Sequence, residues 1–168
     1  MTVMECIEAR TSIRKYEKKA IEEEKLDKVL EAGRLAPSAS NRQTWKFVVV
    51  DDEKLIKKMA EACSNQKFIA EAPTVIVVCC DEHVMRCGQD AATIDVSIAL
   101  SFMMLEATDQ GIGTCWIGAF YEDKVRKCLK IPAEYAIIAV TPIGYPAAAS
   151  KDHLRKNIDE VVVRNQFK

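Results

Sequence analysis

The chain lacks most of the signatures that announce a chemistry. It has no basic excess: Lys plus Arg number 24 against 25 Asp plus Glu, a net charge of −1. A general nucleic-acid binder needs a basic surface to displace counterions, so that class is excluded. Histidine is scarce. Neither His83 nor His153 lies near a Gly-x-Ser-x-Gly elbow, which the chain does not contain, so a His-based hydrolytic triad lacks its parts. Both histidines read as surface residues. No His-x-x-x-His and no paired carboxylate cluster suggests a metal. The seven cysteines, Cys6, Cys63, Cys79, Cys80, Cys87, Cys115 and Cys128, include no Cys-x-x-Cys pair. They read as reduced, buried thiols of a reducing compartment, not as zinc or iron–sulfur ligands. Gly-x-Gly-x-x-Gly and the Walker P-loop are missing, and with them the two common phosphate-binding loops. No apolar run approaches the length of a membrane span, and Met1 to Arg14 has no apolar stretch of the signal-peptide kind. These absences predict a cytoplasmic globular protein that binds neither membrane nor nucleic acid.

What is present fits one domain over residues 1–168. Hydrophobic residues make up 49% and charged residues 29%, enough apolar material for a core. Thr2 to Ala9 reads as a short helix. Glu22 to Arg34 reads as a clearer one, with Leu26, Val29, Leu30 and Gly33 on one face. Pro37 to Trp45 reads as a polar loop, Lys46 to Val50 as a strand, and Glu53 to Cys63 as an amphipathic helix. Thr74 to Cys80 is a continuous apolar run that suits a strand buried on both faces. Asp90 to Gln110 is apolar almost all round, which predicts a helix buried in a core or a subunit interface, with Gly111 as its left-handed stop. Cys115 to Phe120 reads as short and irregular, Glu122 to Leu129 as a helix and Ala136 to Val140 as a strand. Gly144-Tyr145-Pro146 reads as a turn, and Val161 to Val163 as a late β-like patch. Strict βαβ alternation is missing, so the pattern predicts an α+β sandwich: a mixed sheet of four or five short strands flanked by helices.

Three segments could carry a site. In Arg10-Thr11-Ser12-Ile13-Arg14 two guanidiniums flank two hydroxyls, groups that grip phosphate. The same segment could equally be a solvated basic turn. Ala36 to Trp45 gathers Ser38, Ser40, Asn41 and Gln43 before a buried strand, and amide side chains can pair with a heterocycle edge. Gly113 to Phe120 combines two glycines with apolar neighbours, which suits backbone lying close to a flat ligand or a tight core turn.

In this order the segments resemble the nitroreductase-like family of FMN-dependent oxidoreductases. Arg10-Thr11-Ser12-Ile13-Arg14 resembles the family's opening Arg-x-Ser-x-Arg motif. Ala36-Pro37-Ser38-Ala39-Ser40-Asn41-Arg42-Gln43 is similar to its Ala-Pro-Ser-x-x-Asn-x-Gln loop. Gly111 to Gly118 is similar to its Gly-x-Gly-x-x-x-Ile-Gly segment, and Gly144-Tyr145-Pro146 to its Gly-Tyr-Pro turn. Arg155-Lys156, followed by Ile158 to Val162, resembles its ending. The resemblance runs nearly the full length.

It implies an intertwined homodimer with two FMN sites at the interface. Arg10, Thr11, Ser12 and Arg14 would hold the phosphate, joined by Arg155 and Lys156. Pro37, Ser38, Ala39, Asn41 and Gln43 would come from the partner subunit and line the flavin. Asn65, Gln66 or Lys67 would reach the ribityl chain or pyrimidine edge, and the Ile117-Gly118 backbone would lie near flavin N5. The implied activity is ping-pong: NAD(P)H reduces the flavin, then a nitroaromatic, quinone or related small-molecule acceptor is reduced. Hydride chemistry then belongs to the flavin, so no dedicated catalytic acid or base is needed. Thr44 and Asn157 stand where the family usually has proline. Between Cys80 and Asp90 only Asp81 to Gln89 is available, which predicts an open, shallow substrate face. Three alternatives stand beside this activity: a non-catalytic FMN-binding or storage module, a flavoprotein served by a protein electron donor, and a hydrolase or transferase using Cys115.

Overall fold

Thr74–Asp81, the continuous apolar run, is the strand around which the rest is built. The computed structural model describes residues 1–148 and 154–167. Its elements are α1 (Val3–Ala9), α2 (Glu23–Arg34), β1 (Trp45–Val50), α3 (Glu53–Ala62), β2 (Thr74–Asp81), α4 (Ala91–Asp109), β3 (Gly113–Thr114), α5 (Glu122–Leu129), β4 (Tyr135–Gly144) and α6 (Ile158–Val161). Two 3-10 turns, Ala39–Asn41 and Lys67–Glu71, join them.

The sheet order is β1-β2-β4-β3, and every neighbouring pair is antiparallel. Among the described residues, the mixed character expected from sequence is confined to one isolated parallel bridge, Ser12 to Thr114. Side chains of β2 alternate between two cores, as the two-residue period requires. Ile76, Val78 and Cys80 pack with Val29, Val96, Leu100 and Met103 on the side of α2 and α4. Val75, Val77 and Cys79 pack with Ile56, Met59, Val125 and Val140 on the side of α3 and α5. The architecture is therefore an α+β sandwich, helices on both faces of one sheet.

Helix α4 starts where Asp90 accepts the Thr93 N–H at 3.2 Å. It ends in a Schellman motif: Ile112 N–H donates to Ala107 O at 2.8 Å and Gly111 N–H to Thr108 O at 3.0 Å, with Gly111 at φ +73°. Ala99, Leu100, Met103 and Ala107 face the core, whereas Ile94 and Phe102 are each 42% exposed on the opposite side. By length and composition alone α4 could cross a membrane, contrary to the expectation that no run would qualify; half of it is buried in the fold.

Several expectations need correction. Strand β4 continues through Gly144 instead of ending at Val140, so Gly144 belongs to a strand and not to a turn. β3 is a two-residue strand within the segment that follows α4. Val161 closes the single-turn helix α6, so no strand forms at Val161 to Val163. Asn157 and Glu160 have N-cap and N3 spacing, and the Asn157 N–H donates to Glu160 Oε2 at 2.8 Å. That cap favours helix over the β preference of the valines. Cys87 is exposed and Cys128 half-buried; the other five cysteines are buried, and all seven are free. His83 is half-buried, and His153 lies outside the described residues.

Candidate functional site

The N-terminal arm, residues 10–17, is extended and held along its length. Ile13 N–H donates to Thr114 O at 2.9 Å, Glu17 N–H to Tyr145 O at 2.9 Å, and Ala147 N–H to Lys15 O at 3.0 Å. The buried Tyr16 hydroxyl donates toward the Ile13 and Pro142 carbonyls, at 2.9 and 3.1 Å. Ile13 reaches so close to Gly113 that a Cβ there would lie 2.5 Å from Ile13 Cγ1. Beside the arm, the Tyr145 hydroxyl donates to Glu22 and accepts from Lys25 Nζ at 2.9 Å, with Lys19 Nζ over its ring. This fixes the end of β4 against α2.

Alternation along the arm sorts its side chains. Arg10, Ser12 and Arg14 act on the Cys115 thiol. Burial raises that thiol's pKa; the charges of Arg14 and Arg10 and a hydrogen bond with Ser12 pull it partly back. Thr11 and Ile13, at the intervening positions, line a cavity of about 280 Å³ with Gly111, Gly113, Thr114 and Pro146. Two guanidiniums and a hydroxyl thus stand at alternate positions of the extended arm, a donor set suited to a phosphate. Cys115 is 1% exposed and burial makes its thiol harder to ionise than usual, both unfavourable for a nucleophile.

The second segment carries backbone strain. Ser40, Asn41 and Gln43 all have positive φ, +52°, +53° and +52°, and so do Ser64 and Asn65 in the other candidate loop. Non-glycine residues in the left-handed region cost energy and cluster at functional sites. Gln43 N–H donates to Ser38 Oγ at 3.0 Å and Gln43 Nε2 to Asn41 O at 3.2 Å, so both side chains shape the loop. Pro37 and Asn41 are exposed, and Ser38 and Ala39 half-buried.

The third group forms on the same chain. Gln66 Nε2 donates to Ala119 O at 3.5 Å, tying the Ser64-Asn65 turn to the Ile117-Gly118 segment. Ile117 is buried by its bridge to Val140, whereas Gly118 and Lys67 are exposed. A Cβ on Gly118 would have Trp116 Nε1 as its nearest neighbour, at 4.0 Å. The backbone there faces open space.

Two expected members are not gathered in a single chain. Ala39 is tied to Asp95 near the start of α4, while the arm bridges Thr114 beyond its end. Asp95 to Asp109 covers about 20 Å of helix at roughly 1.5 Å per residue. β2 gives the same separation, from Thr74 near the arm to Cys80 opposite Trp45, about 20 Å at roughly 3.3 Å per residue. Arg155 is exposed and donates to the Leu154 carbonyl at 3.3 Å; among the described residues, no hydrogen bond or ion pair joins it or Lys156 to the arm.

Asp95 itself was missed by sequence reasoning. Its signal was a single acidic residue between Asp90 and Glu106 in an otherwise apolar helix.

The sequence profile of the Nitroreductase family matches residues 7–82 and 63–145, and the chain belongs to that family. It is 36% identical over 147 residues to a candidate NADH dehydrogenase/NAD(P)H nitroreductase of Archaeoglobus fulgidus, covering 85% of this chain and 84% of that one. It is 26% identical to the FMN reductase [NAD(P)H] of Bacillus subtilis, covering 88% and 67%. An FMN-dependent nitroreductase structure from Clostridium difficile R20291 superposes with a TM-score of 0.86 at 32% identity, covering 98% and 99%.

Proposed function

We propose that the protein is a homodimeric FMN-dependent NAD(P)H oxidoreductase that reduces a small-molecule acceptor by a ping-pong mechanism. The observation that carries this is the extended arm pinned beside β3, which sets Arg10, Ser12 and Arg14 at alternate positions. Arg10, Thr11, Ser12 and Arg14 would hold the phosphate, with Arg155 and Lys156 brought in on assembly. The exposed Gly118 backbone would lie against the ring, and Gln66 and Lys67 beside its polar side. When bound, FMN supplies the hydride chemistry; the protein supplies position and charge. Steady-state rates with either nicotinamide and a panel of acceptors test the activity. Parallel double-reciprocal lines are expected; intersecting lines would count against ping-pong turnover.

The separation of about 20 Å between arm and loop along α4 and β2 supports a two-fold assembly, in which the two need not meet within one chain. Residues 36–43 of the partner would then complete each site. Exposed apolar residues support it too: Val3, Met4 and Ile7 on α1, Ile94 and Phe102 on α4, and Ile158, Val161 and Phe167 near the C-terminus. Phe102→Glu should shift the protein from dimer to monomer in analytical ultracentrifugation, with FMN affinity lost in parallel. A dimer of unchanged stability would remove α4's outer face from the interface.

Gly118→Ala separates fold from ligand. The added methyl meets only Trp116 Nε1, at an unstrained 4.0 Å, so the flavin-free melting temperature should not change. FMN affinity should fall by about 1–3 kcal/mol through overpacking against the ring. Unchanged affinity would place the ring elsewhere.

The connection Asp81 to Asp90 supports an open acceptor face. It closes on itself through Met85 N–H to Gln89 O and Gly88 N–H to Met85 O, both 2.8 Å, and adds no helix over the site. Strict selectivity for one small acceptor in the panel would contradict it.

A further inference from the structure

We propose that Asp95 is a positioning residue for flavin binding: acting through Ala39, it holds residues 38–43 in the shape that meets the cofactor. This rests on the proposed placement of that loop against the flavin. Asp95 is 3% exposed, and its Oδ1 accepts the Ala39 N–H at 2.9 Å. Among the described residues, the other hydrogen bonds of the loop close within it: Asn41 N–H to Ser38 O, Arg42 N–H to Ala39 O, Gln43 N–H to Ser38 Oγ and Gln43 Nε2 to Asn41 O. The loop is a strained ring of three left-handed residues, and Asp95 is what moors it to α4. Strain of this kind persists only where surrounding structure over-determines it.

Asp95 is poorly suited to a purely stabilising role. Its Oδ2 is buried with no hydrogen-bond partner among the described residues. A buried polar atom left unpaired costs stability, and an apolar residue of similar volume would avoid that cost. The one service the carboxyl visibly performs is to fix Ala39 at the head of the 3-10 turn Ala39–Asn41. A residue that is unfavourable for the fold and favourable for one loop should show opposite effects on melting temperature and on ligand affinity.

Asp95→Leu keeps the branched shape and removes the acceptor; Asp95→Asn keeps an acceptor for Ala39. Hydrogen exchange of the flavin-free proteins and FMN titration are measured on all three. Asp95→Leu should melt at or above the wild-type temperature. Its residues 38–43 should exchange about tenfold faster, with FMN affinity about tenfold weaker, the order of one lost hydrogen bond. Asp95→Asn should restore both to near wild type. Unchanged exchange in residues 38–43 of Asp95→Leu overturns the mooring itself. Faster exchange with unchanged FMN affinity also overturns the proposal, and shows that this loop does not meet the flavin. Failure of the wild type to bind FMN at all would instead strike the cofactor assignment, which the exchange data do not depend on.

Discussion

Arg10→Ala should weaken FMN binding by about 1.5–3 kcal/mol, the worth of a charge-assisted hydrogen bond, or about 10–150-fold in dissociation constant. The side chain leaves the C-cap of α1, where the Arg10 N–H donates to Cys6 O at 2.9 Å, so its backbone origin is fixed before any ligand arrives. Truncation leaves that backbone bond intact, and the flavin-free melting temperature should hardly move. Fluorescence titration with FMN reads the loss directly. An unchanged dissociation constant removes Arg10 from the phosphate site. Combined with Asn41→Ala, the variant also tests the subunit arrangement. A mixed dimer carrying Arg10→Ala on one chain and Asn41→Ala on the other should keep one intact site and lose the other, because each site draws its arm from one chain and its loop from the partner. Two equally weakened sites would mean that arm and loop serve the same site within one chain.

Gly113→Ala should have the second large effect, and on both stability and binding. The new methyl would sit 2.5 Å from Ile13 Cγ1 and 2.9 Å from Ile13 Cβ. Cβ is fixed to the backbone and cannot swing aside, so the arm must move. Overpacking of this kind costs about 1–3 kcal/mol. Ile13 lies between Ser12 and Arg14, so a displaced arm also spoils the donor set, and FMN affinity should fall together with the urea midpoint. Ile13→Ala in the same chain removes the nearest clashing carbon. The double variant should be less destabilised than the sum of the two single changes. Additive losses would show that arm and strand are not in the close contact described.

Much of this fold was legible because the apolar pattern matched the final burial. Thr74 to Cys80 is uninterrupted because β2 faces a core on each side, and Gly111 stops α4 because only its left-handed backbone completes the Schellman motif. The end of β4 was hidden by Thr141-Pro142, which reads as a break. β3 stops at Thr114, opposite Ile143, just short of Pro142, where a ladder would need the N–H that proline lacks. The tail was misread because a cap, Asn157 with Glu160, outweighed the β preference of Val161. In the candidate site, the resemblance supplied the residue types. The side each one faces emerged only from the extended arm, which turns Thr11 and Ile13 away from Arg10, Ser12 and Arg14. Asp95 escaped because a carboxyl in an apolar helix acquires its meaning from a backbone N–H 56 positions away in sequence.

The central claim is most directly tested by the visible spectrum of the purified protein with added FMN, recorded anaerobically before and after NADH and then NADPH. The account predicts a bound-flavin spectrum that bleaches with at least one nucleotide, which also names the donor. A bound flavin that stays oxidised with both would contradict the oxidoreductase reading in favour of a binding module or a protein electron donor. Absence of flavin binding would contradict the cofactor assignment altogether.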